Sequence, residues 1–181
     1  MGKQFSQLSS ALITFIQNQK IFFVGTALAE GRVNVSPKGM DSLRVISPNR
    51  VIWLNVTGSG NETATHVSRN QRMTIMFTSF DGPPLILRLY GSAKVINTKD
   101  AEWDTLCKLL PSQPGARQIF DLEIDLIQTS CGMAVPYMAY QGERQQLNDW
   151  VSKKTPNELE EYWIAKNSIS IDGIPTMPPE T

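Results

Sequence analysis

Residues 34–66 read NVSPKGMDSLRVISPNRVIWLNVTGSGNETATH, and they set both the predicted fold and the predicted site. Two apolar runs, 42–46 and 50–56, have the composition of strands. The residues between them, Ser47-Pro48-Asn49, supply turn chemistry, so the pattern predicts a β-hairpin. Small, polar and basic residues gather on either side of this hairpin, where they predict two loops.

The rest of the chain continues a mainly β pattern. Further strands are predicted at 21–27, 31–36, 73–78, 85–96 and 119–128, and short helices at 5–16, 61–70, 100–110 and 156–166. Gly91 is suited to a bend within its strand, and Thr155 with Pro156 to the start of the last helix. Strands and helices do not alternate as βαβ units, which disfavours a parallel doubly wound sheet. An antiparallel, Greek-key-like barrel with flanking helices fits better.

Length and composition indicate an ordinary globular protein. The 181 residues are expected to form one domain, with a core over about 20–136 and a C-terminal helical region and arm over about 142–181. Seventeen basic and seventeen acidic residues cancel, which makes nucleic acid a poor partner. No apolar run approaches the ~20 residues that span a bilayer. Two cysteines and one histidine disfavour a disulfide framework or metal cage and suit a cytoplasmic location.

The two loops beside the hairpin carry the residues suited to ligand binding. In the first, 34–41, Pro37 fixes the backbone, Gly39 permits unusual dihedral angles and Lys38 offers a positive charge. In the second, 58–66, glycines precede a predicted helix start, an arrangement that can surround an anion. Taken separately, each loop is explained better without a ligand, the first as a turn with a solvated lysine and the second as a plain capped helix.

Considered together across the hairpin, the two loops indicate a phosphate-binding site. It would bring several basic and hydroxyl-bearing side chains within reach of one phosphate group. These side chains are Lys38, Arg44, Ser59, Asn61 and Thr63.

The order of several motifs resembles a subgroup of the pyridoxamine 5′-phosphate oxidase family. The resemblance covers about residues 20–175 and is specific as a set, although no single piece would suffice. Its pieces are NVSPKGMDSLRV (34–45), WLN (53–55), GSGNETATH (58–66), RMTIMF (72–77), PLILRLYG (84–91), QTSCG (128–132) through VP (135–136), and SIDG (170–173).

The resemblance implies a split β-barrel homodimer with two FMN sites at the subunit interface. Arg44, Val45 and Ile46 would lie along the flavin ring, and Leu54 and Asn55 would flank the ring and ribityl chain. The phosphate would meet Ser59, Gly60, Asn61 and Thr63, helped by Lys38 or Arg44. Arg88 is expected to reach the flavin from the other side.

Two departures from the family pattern bear on function. The true oxidase has an Arg-Lys pair at the phosphate loop, where this chain has Asn61-Glu62-Thr63. It also ends in an arginine-rich segment, whereas this chain ends in Ile174-Pro175-Thr176-Met177-Pro178-Pro179. The resemblance therefore implies an FMN-dependent oxidoreductase acting on an unknown small molecule rather than on vitamin B6. The alternatives are a dimer that binds a flavin or another planar ligand without turnover, and a dimeric module without a cofactor.

The remaining candidate residues favour structural roles. His66 is expected to make a structural hydrogen bond or a contact behind the phosphate, Cys131 to be a buried, inert thiol, and Cys107 to pack. Three aromatic residues are expected at the dimer interface: Tyr137, Tyr140 and Trp150. Three acidic residues are expected on one solvated strand face: Asp121, Glu123 and Asp125. The tail 175–181 is expected to be a surface arm.

Overall fold

The computed structural model describes residues 2–176, which form one eight-stranded sheet with five helices around it. The strands are β1 Lys3–Phe5, β2 Phe22–Thr26, β3 Asn34–Lys38, β4 Leu43–Ser47, β5 Arg50–Val56, β6 Arg72–Thr78, β7 Ile86–Asn97 and β8 Ala116–Ser130. The helices are α1 Ser10–Asn18, α2 Glu62–Val67, α3 Trp103–Cys107, α4 Gln146–Val151 and α5 Pro156–Asn167.

The sheet is antiparallel and open. Its strand order is β3-β2-β6-β7-β8-β5-β4, and β1 adds to β8 beside this path. Within residues 2–176, β3 and β4 at the two ends do not pair with each other, so the sheet curls without closing. This architecture confirms the predicted mainly β, split-barrel fold.

The β4–β5 hairpin places the first loop beside the second. Leu43 pairs with Trp53 and Val45 with Val51, as the predicted hairpin requires. On its other edge β5 pairs with β8, where Asn55 lies opposite Gln118. This pairing brings the start of β8 next to the loop that follows β5.

The core has two parts because β5 is buried on both faces. Val51 and Trp53 belong to the larger cluster, where the Trp53 ring stacks on Phe120 with a centroid distance of 4.5 Å. Ile52 and Leu54 point the other way, into a smaller cluster with α3 and β8. Burial on both faces fixes the register of β5, and with it the position of the loop at its end.

Several element boundaries differ from the predictions. The first helix begins at Ser10 rather than residue 5, because Ser9 caps it by accepting from the Leu12 N–H at 3.3 Å. The third helix is confined to α3, and α4 was not predicted. The last helix is confirmed, and its Thr155 forms a capping box with Glu158.

The expectation of a fully solvated acidic face is wrong for Asp121. Glu123 and Asp125 are exposed, but Asp121 is buried and accepts two hydrogen bonds from Arg50, at 2.9 and 2.7 Å. Arg50 lies on β5 two residues before Ile52, which pairs with Asp121, so its long side chain reaches diagonally across the two strands. The alternation of the sequence did not show this partner.

The prediction of a surface arm over 175–181 is wrong at Thr176. Thr176 is buried, and its hydroxyl donates to the Asn167 carbonyl at 2.6 Å. The remainder of that arm, 177–181, lies outside the described residues. Within residues 2–176, no helix has the length and apolarity to cross a membrane.

Candidate functional site

The turn between β3 and β4 has a backbone conformation that its residues rarely adopt. Met40 and Asp41 have φ angles of 60° and 53°, in the left-handed region. The turn is held by Ser42, whose N–H and hydroxyl both donate to the Gly39 carbonyl, at 3.3 and 2.7 Å. Consecutive left-handed residues cost energy and are concentrated at ligand sites. Gly39 and Met40 line three adjoining cavities, of about 360, 640 and 1100 Å³.

The smallest of these cavities is called the basic cavity, after Lys38 and Arg117 in its wall. It lies between the β3–β4 turn and the loop 57–63. The structure brings together here most of the residues predicted to bind the cofactor: Lys38, Leu54, Asn55, Ser59, Gly60, Asn61 and Thr63.

Arg117 is the residue that the sequence analysis missed. It lies at the start of β8, is buried, and donates from Nη2 to the Gly60 carbonyl at 2.8 Å and from Nη1 to Asn167 Oδ1. With its amide oriented to accept a hydrogen bond, the Asn55 side-chain oxygen lies 3.2 Å from Arg117 Nε. These acceptors are all neutral, so none of them offsets the charge of the guanidinium. Arg117 supplies the positive charge that the loop 58–63 lacks.

Lys38 places a second cation in the same cavity. Lys38 as a whole is half-buried, but its ammonium nitrogen lies 5.2 Å from the centroid of the fully buried Trp53 ring. Burial and, secondarily, the charge of Arg117 lower the pKa of Lys38 to about 8. Burial also lowers the pKa of Arg117 to about 10. Within residues 2–176, neither cation takes part in an ion pair.

The loop beside these cations offers further donors. Among the described residues, the backbone N–H groups of Ser59, Gly60 and Asn61 have no protein acceptor. The Thr63 hydroxyl accepts from Asn34 at 3.1 Å, which leaves its proton available. Two cations and several open donors around one cavity form a site for an anion.

Among residues 2–176, Glu62 is the one carboxylate that lines the basic cavity. Its Oε1 accepts from the Ile171 N–H at 3.0 Å, and its Oε2 is buried with no partner within residues 2–176. The contact with Ile171 draws one oxygen toward the C-terminal segment. Glu62 therefore does not pair with Lys38 or Arg117, and their charges stay available to an anion.

Four predicted site residues lie outside the basic cavity. Arg44 pairs with Asp41 at 2.7 Å and, with Val45, lines the neighbouring 640 Å³ cavity, here called the β4 cavity. Ile46 packs against the smaller core cluster. Arg88 lies on β7 and donates to the Ser130 hydroxyl at 3.1 Å. The structure thus separates Arg44 from the group that was expected to hold one phosphate.

The histidine and the two cysteines were expected to be structural, and two of the three lie where they were expected. His66 is buried, and its Nδ1 lies 3.1 Å from the Thr26 hydroxyl, which confirms a structural hydrogen bond. Cys107 packs against the smaller core cluster as expected. Cys131 is exposed, so the expectation of a buried thiol is wrong. The chain leaves β8 at Ser130, and Cys131 lies outside the protection of the sheet.

The aromatic residues of the C-terminal part do not form one cluster. Trp150 packs edge-on against Tyr162, with ring centroids 5.0 Å apart. Tyr140 donates to Glu143 at 2.9 Å beside the β4 cavity, and Tyr137 is largely exposed.

Comparison with known proteins identifies the family of this chain. The family model for pyridoxamine 5′-phosphate oxidase matches residues 8–131. The chain belongs to the pyridoxamine 5′-phosphate oxidase family. It is 37% identical to the pyridoxamine 5′-phosphate oxidase family protein ustO of Aspergillus flavus, over 94% of this chain and 76% of that protein.

Solved structures support the same fold. A point variant of HupZ from Group A Streptococcus has a TM-score of 0.56 at 20% identity, covering 67% of this chain and 98% of that one. A pyridoxamine 5′-phosphate oxidase-like protein from Lactobacillus delbrueckii has a TM-score of 0.53 at 19% identity, covering 68% and 94%. Proteins of this family generally bind flavin.

Proposed function

We propose that this pyridoxamine 5′-phosphate oxidase family protein binds FMN and is an oxidoreductase acting on a small organic molecule. The observation that carries the proposal is the pair Lys38 and Arg117, two cations that line one cavity without an acidic partner. Two like charges that line one small cavity are costly unless an anion joins them. A phosphate monoester supplies that anion.

FMN fits two adjoining cavities, one lined by residues suited to its phosphate and the other with room for its ring. The phosphate would be held by Lys38, Arg117, Thr63 and the open N–H groups of the loop 58–61. The β4 cavity has room for the flavin ring beside Val45, and the two cavities share Gly39 and Met40. Bound flavin supplies the hydride or electron transfer, and the protein binds and orients the reactants.

The substrate would occupy the largest of the adjoining cavities. This cavity of about 1100 Å³ shares Lys20 and Tyr140 with the β4 cavity. Its wall includes the apolar side chains of Phe80, Met138 and Leu147. Such a wall suits a small molecule with substantial apolar surface.

A homodimer with the sites at its interface is part of the proposal. Proteins of this family are commonly dimeric. Val35 on β3 and Val33 just before that strand are exposed at an end of the sheet, where a second subunit can cover them. A partner subunit would also be the means by which Arg88 reaches a flavin.

Titration of the flavin-free protein with FMN and with riboflavin tests the cofactor. We expect FMN to bind at least about 100-fold more tightly, because two charge-assisted contacts to phosphate are each worth about 1.5–3 kcal/mol. Quenching of flavin fluorescence reports both affinities. Equal affinities would contradict a phosphate site in the basic cavity.

Reduction of the bound flavin tests the enzyme against the alternative of binding without turnover. Under anaerobic conditions, NADH or NADPH is expected to bleach the flavin absorbance, and air is expected to restore it. A flavin that stays oxidised with both nicotinamides and with a panel of small organic reductants would favour a binding protein.

The affinity for FMN is expected to fall as pH rises through about 8, the pKa of Lys38 in the ligand-free protein. Bound phosphate favours the charged ammonium, so the pKa of Lys38 is higher in the complex than in the free protein. Between about pH 7 and about pH 8 the free protein already carries this charge, the phosphate is a dianion, and the affinity is flat. Above it, binding requires proton uptake, and the affinity falls by up to about tenfold per pH unit.

The pH experiment has two controls. Riboflavin lacks the phosphate, so its affinity is expected to stay flat between about pH 7 and about pH 9. Lys38→Met removes the titrating group, so its weaker FMN binding is expected to lose this dependence. The same pH profile in Lys38→Met as in the wild type would rule out Lys38 as the titrating group.

A further inference from the structure

The C-terminal segment contacts the wall of the basic cavity and lies outside the part of the chain that the family model matches. That match ends at residue 131, whereas α5 and the residues after it contact the loop 57–60 and α2. Trp163 Nε1 donates to the Thr57 hydroxyl at 3.0 Å. The segment therefore forms a layer behind the residues that line the basic cavity.

Asn167, the last residue of α5, makes the central contacts of this layer. It is 4% exposed, and its Oδ1 accepts from Arg117 Nη1 while its Nδ2 donates to the Gly58 carbonyl at 3.1 Å. Arg117 in turn donates to the Gly60 carbonyl. The amide thus joins the guanidinium and both ends of the loop 58–60 into one hydrogen-bonded unit.

The chemistry of an amide suits this position. An amide provides one acceptor and one donor in a single planar group, as this bridge requires. Because it is neutral, it orients Arg117 without offsetting the positive charge. A carboxylate at the same place would form an ion pair with Arg117 and compete with the phosphate.

We propose that Asn167 is a positioning residue, which aims Arg117 and the loop 58–60 at the phosphate group and so gives the chain its preference for a phosphorylated ligand. The proposal rests on the proposed function for the flavin. Inorganic phosphate tests the anion site without any flavin.

The experiment compares Asn167→Asp and Asn167→Ala with the wild-type chain. Flavin-free proteins are melted in inorganic phosphate and in chloride at equal ionic strength, and each protein is then titrated with FMN and with riboflavin. We expect either substitution to weaken FMN binding by about 10- to 100-fold, the effect of one charge-assisted hydrogen bond, and to leave riboflavin binding unchanged. The increase in melting temperature caused by phosphate is expected to shrink in parallel.

Asn157→Ala is the matched control, because it removes an exposed asparagine from the same helix. It is expected to keep the wild-type preference for FMN. Riboflavin binding shows that each variant still folds around the ring site.

The outcomes separate this proposal from the flavin proposal. If the Asn167 variants melt earlier but keep the wild-type ratio of FMN to riboflavin affinity, Asn167 only packs and the inference is overturned. If phosphate stabilises the wild type and not the Asn167 variants, while no flavin binds, the positioning role stands and the flavin proposal fails. If neither phosphate nor FMN binds the wild type, both fail.

Discussion

Replacing Arg117 with methionine is expected to weaken FMN binding by about two to three orders of magnitude. In the described part of the chain, the guanidinium is one of only two cations that line the basic cavity, and loss of one partner from a buried, hydrogen-bonded charge pair costs about 2–5 kcal/mol. Riboflavin binding is expected to change by less than about threefold, because the ring site beside Val45 is not altered. Fluorescence titration measures both affinities on the same preparation.

Methionine is suited to this test because it fills the volume without a charge. Burial already disfavours the charged form of Arg117, as its lowered pKa shows, so the flavin-free variant is not expected to lose a stabilising ion pair. Arg117→Lys keeps a charge but loses the planar fork, and we expect it to fall between the wild type and Arg117→Met. Arg72→Met, at an exposed arginine of β6, is the matched control.

Two results would contradict the role of Arg117. One is an unchanged FMN affinity in Arg117→Met. The other is an equal loss of FMN and riboflavin binding, which would mean that the substitution damages the fold or the ring site rather than the contact with phosphate. Thermal unfolding of the flavin-free variant distinguishes these two causes.

The local part of the fold could be predicted because it depends on neighbours in sequence. The hairpin of β4 and β5 follows from two apolar runs joined by turn residues, and the last helix follows from Thr155 and Pro156. The two loops beside the hairpin were identified for the same reason. Once the hairpin forms, they are brought close together, and Lys38 lines the same cavity as Thr63.

Arg117 could not be predicted because its position depends on long-range pairing. It lies more than fifty residues after the loop 58–63, and only the register of β5 with β8 brings it there. The sequence did show a basic residue just before a predicted strand. No residue near it in sequence indicated, however, which loop this residue would contact. The contact with Asn167 is also long-range, because it joins β8 to the end of α5.

Arg44 shows the opposite problem, in which a local partner was overlooked. Asp41 precedes it by three residues, and the left-handed turn directs this carboxylate back to the guanidinium. An arginine already paired in this way is a weaker phosphate ligand than Arg117, which bonds only to neutral groups. Sequence alone gave both residues the same formal charge and no basis for choosing between them.

Gly91→Ala is expected to destabilise the protein by more than about 4 kcal/mol, an effect of the size seen when a substitution forces a backbone clash. A Cβ atom at this position would lie 1.9 Å from the carbonyl oxygen of Glu123 and 2.8 Å from its carbonyl carbon. Both are backbone atoms of β8, at the point where its register with β7 shifts. They cannot move without separating the two longest strands of the sheet.

Gly25→Ala is the control that makes this test specific to the close approach. Gly25 also lies inside a strand, but its nearest atom to a new Cβ would be the Thr74 carbonyl oxygen at 3.8 Å, an ordinary contact. We expect Gly25→Ala to change stability by less than about 1 kcal/mol. For Gly91→Ala, the melting temperature of a chain of this size should fall by about 10 °C or more. Similar melting temperatures for the two variants would mean that β7 and β8 do not approach as closely as the bulge requires.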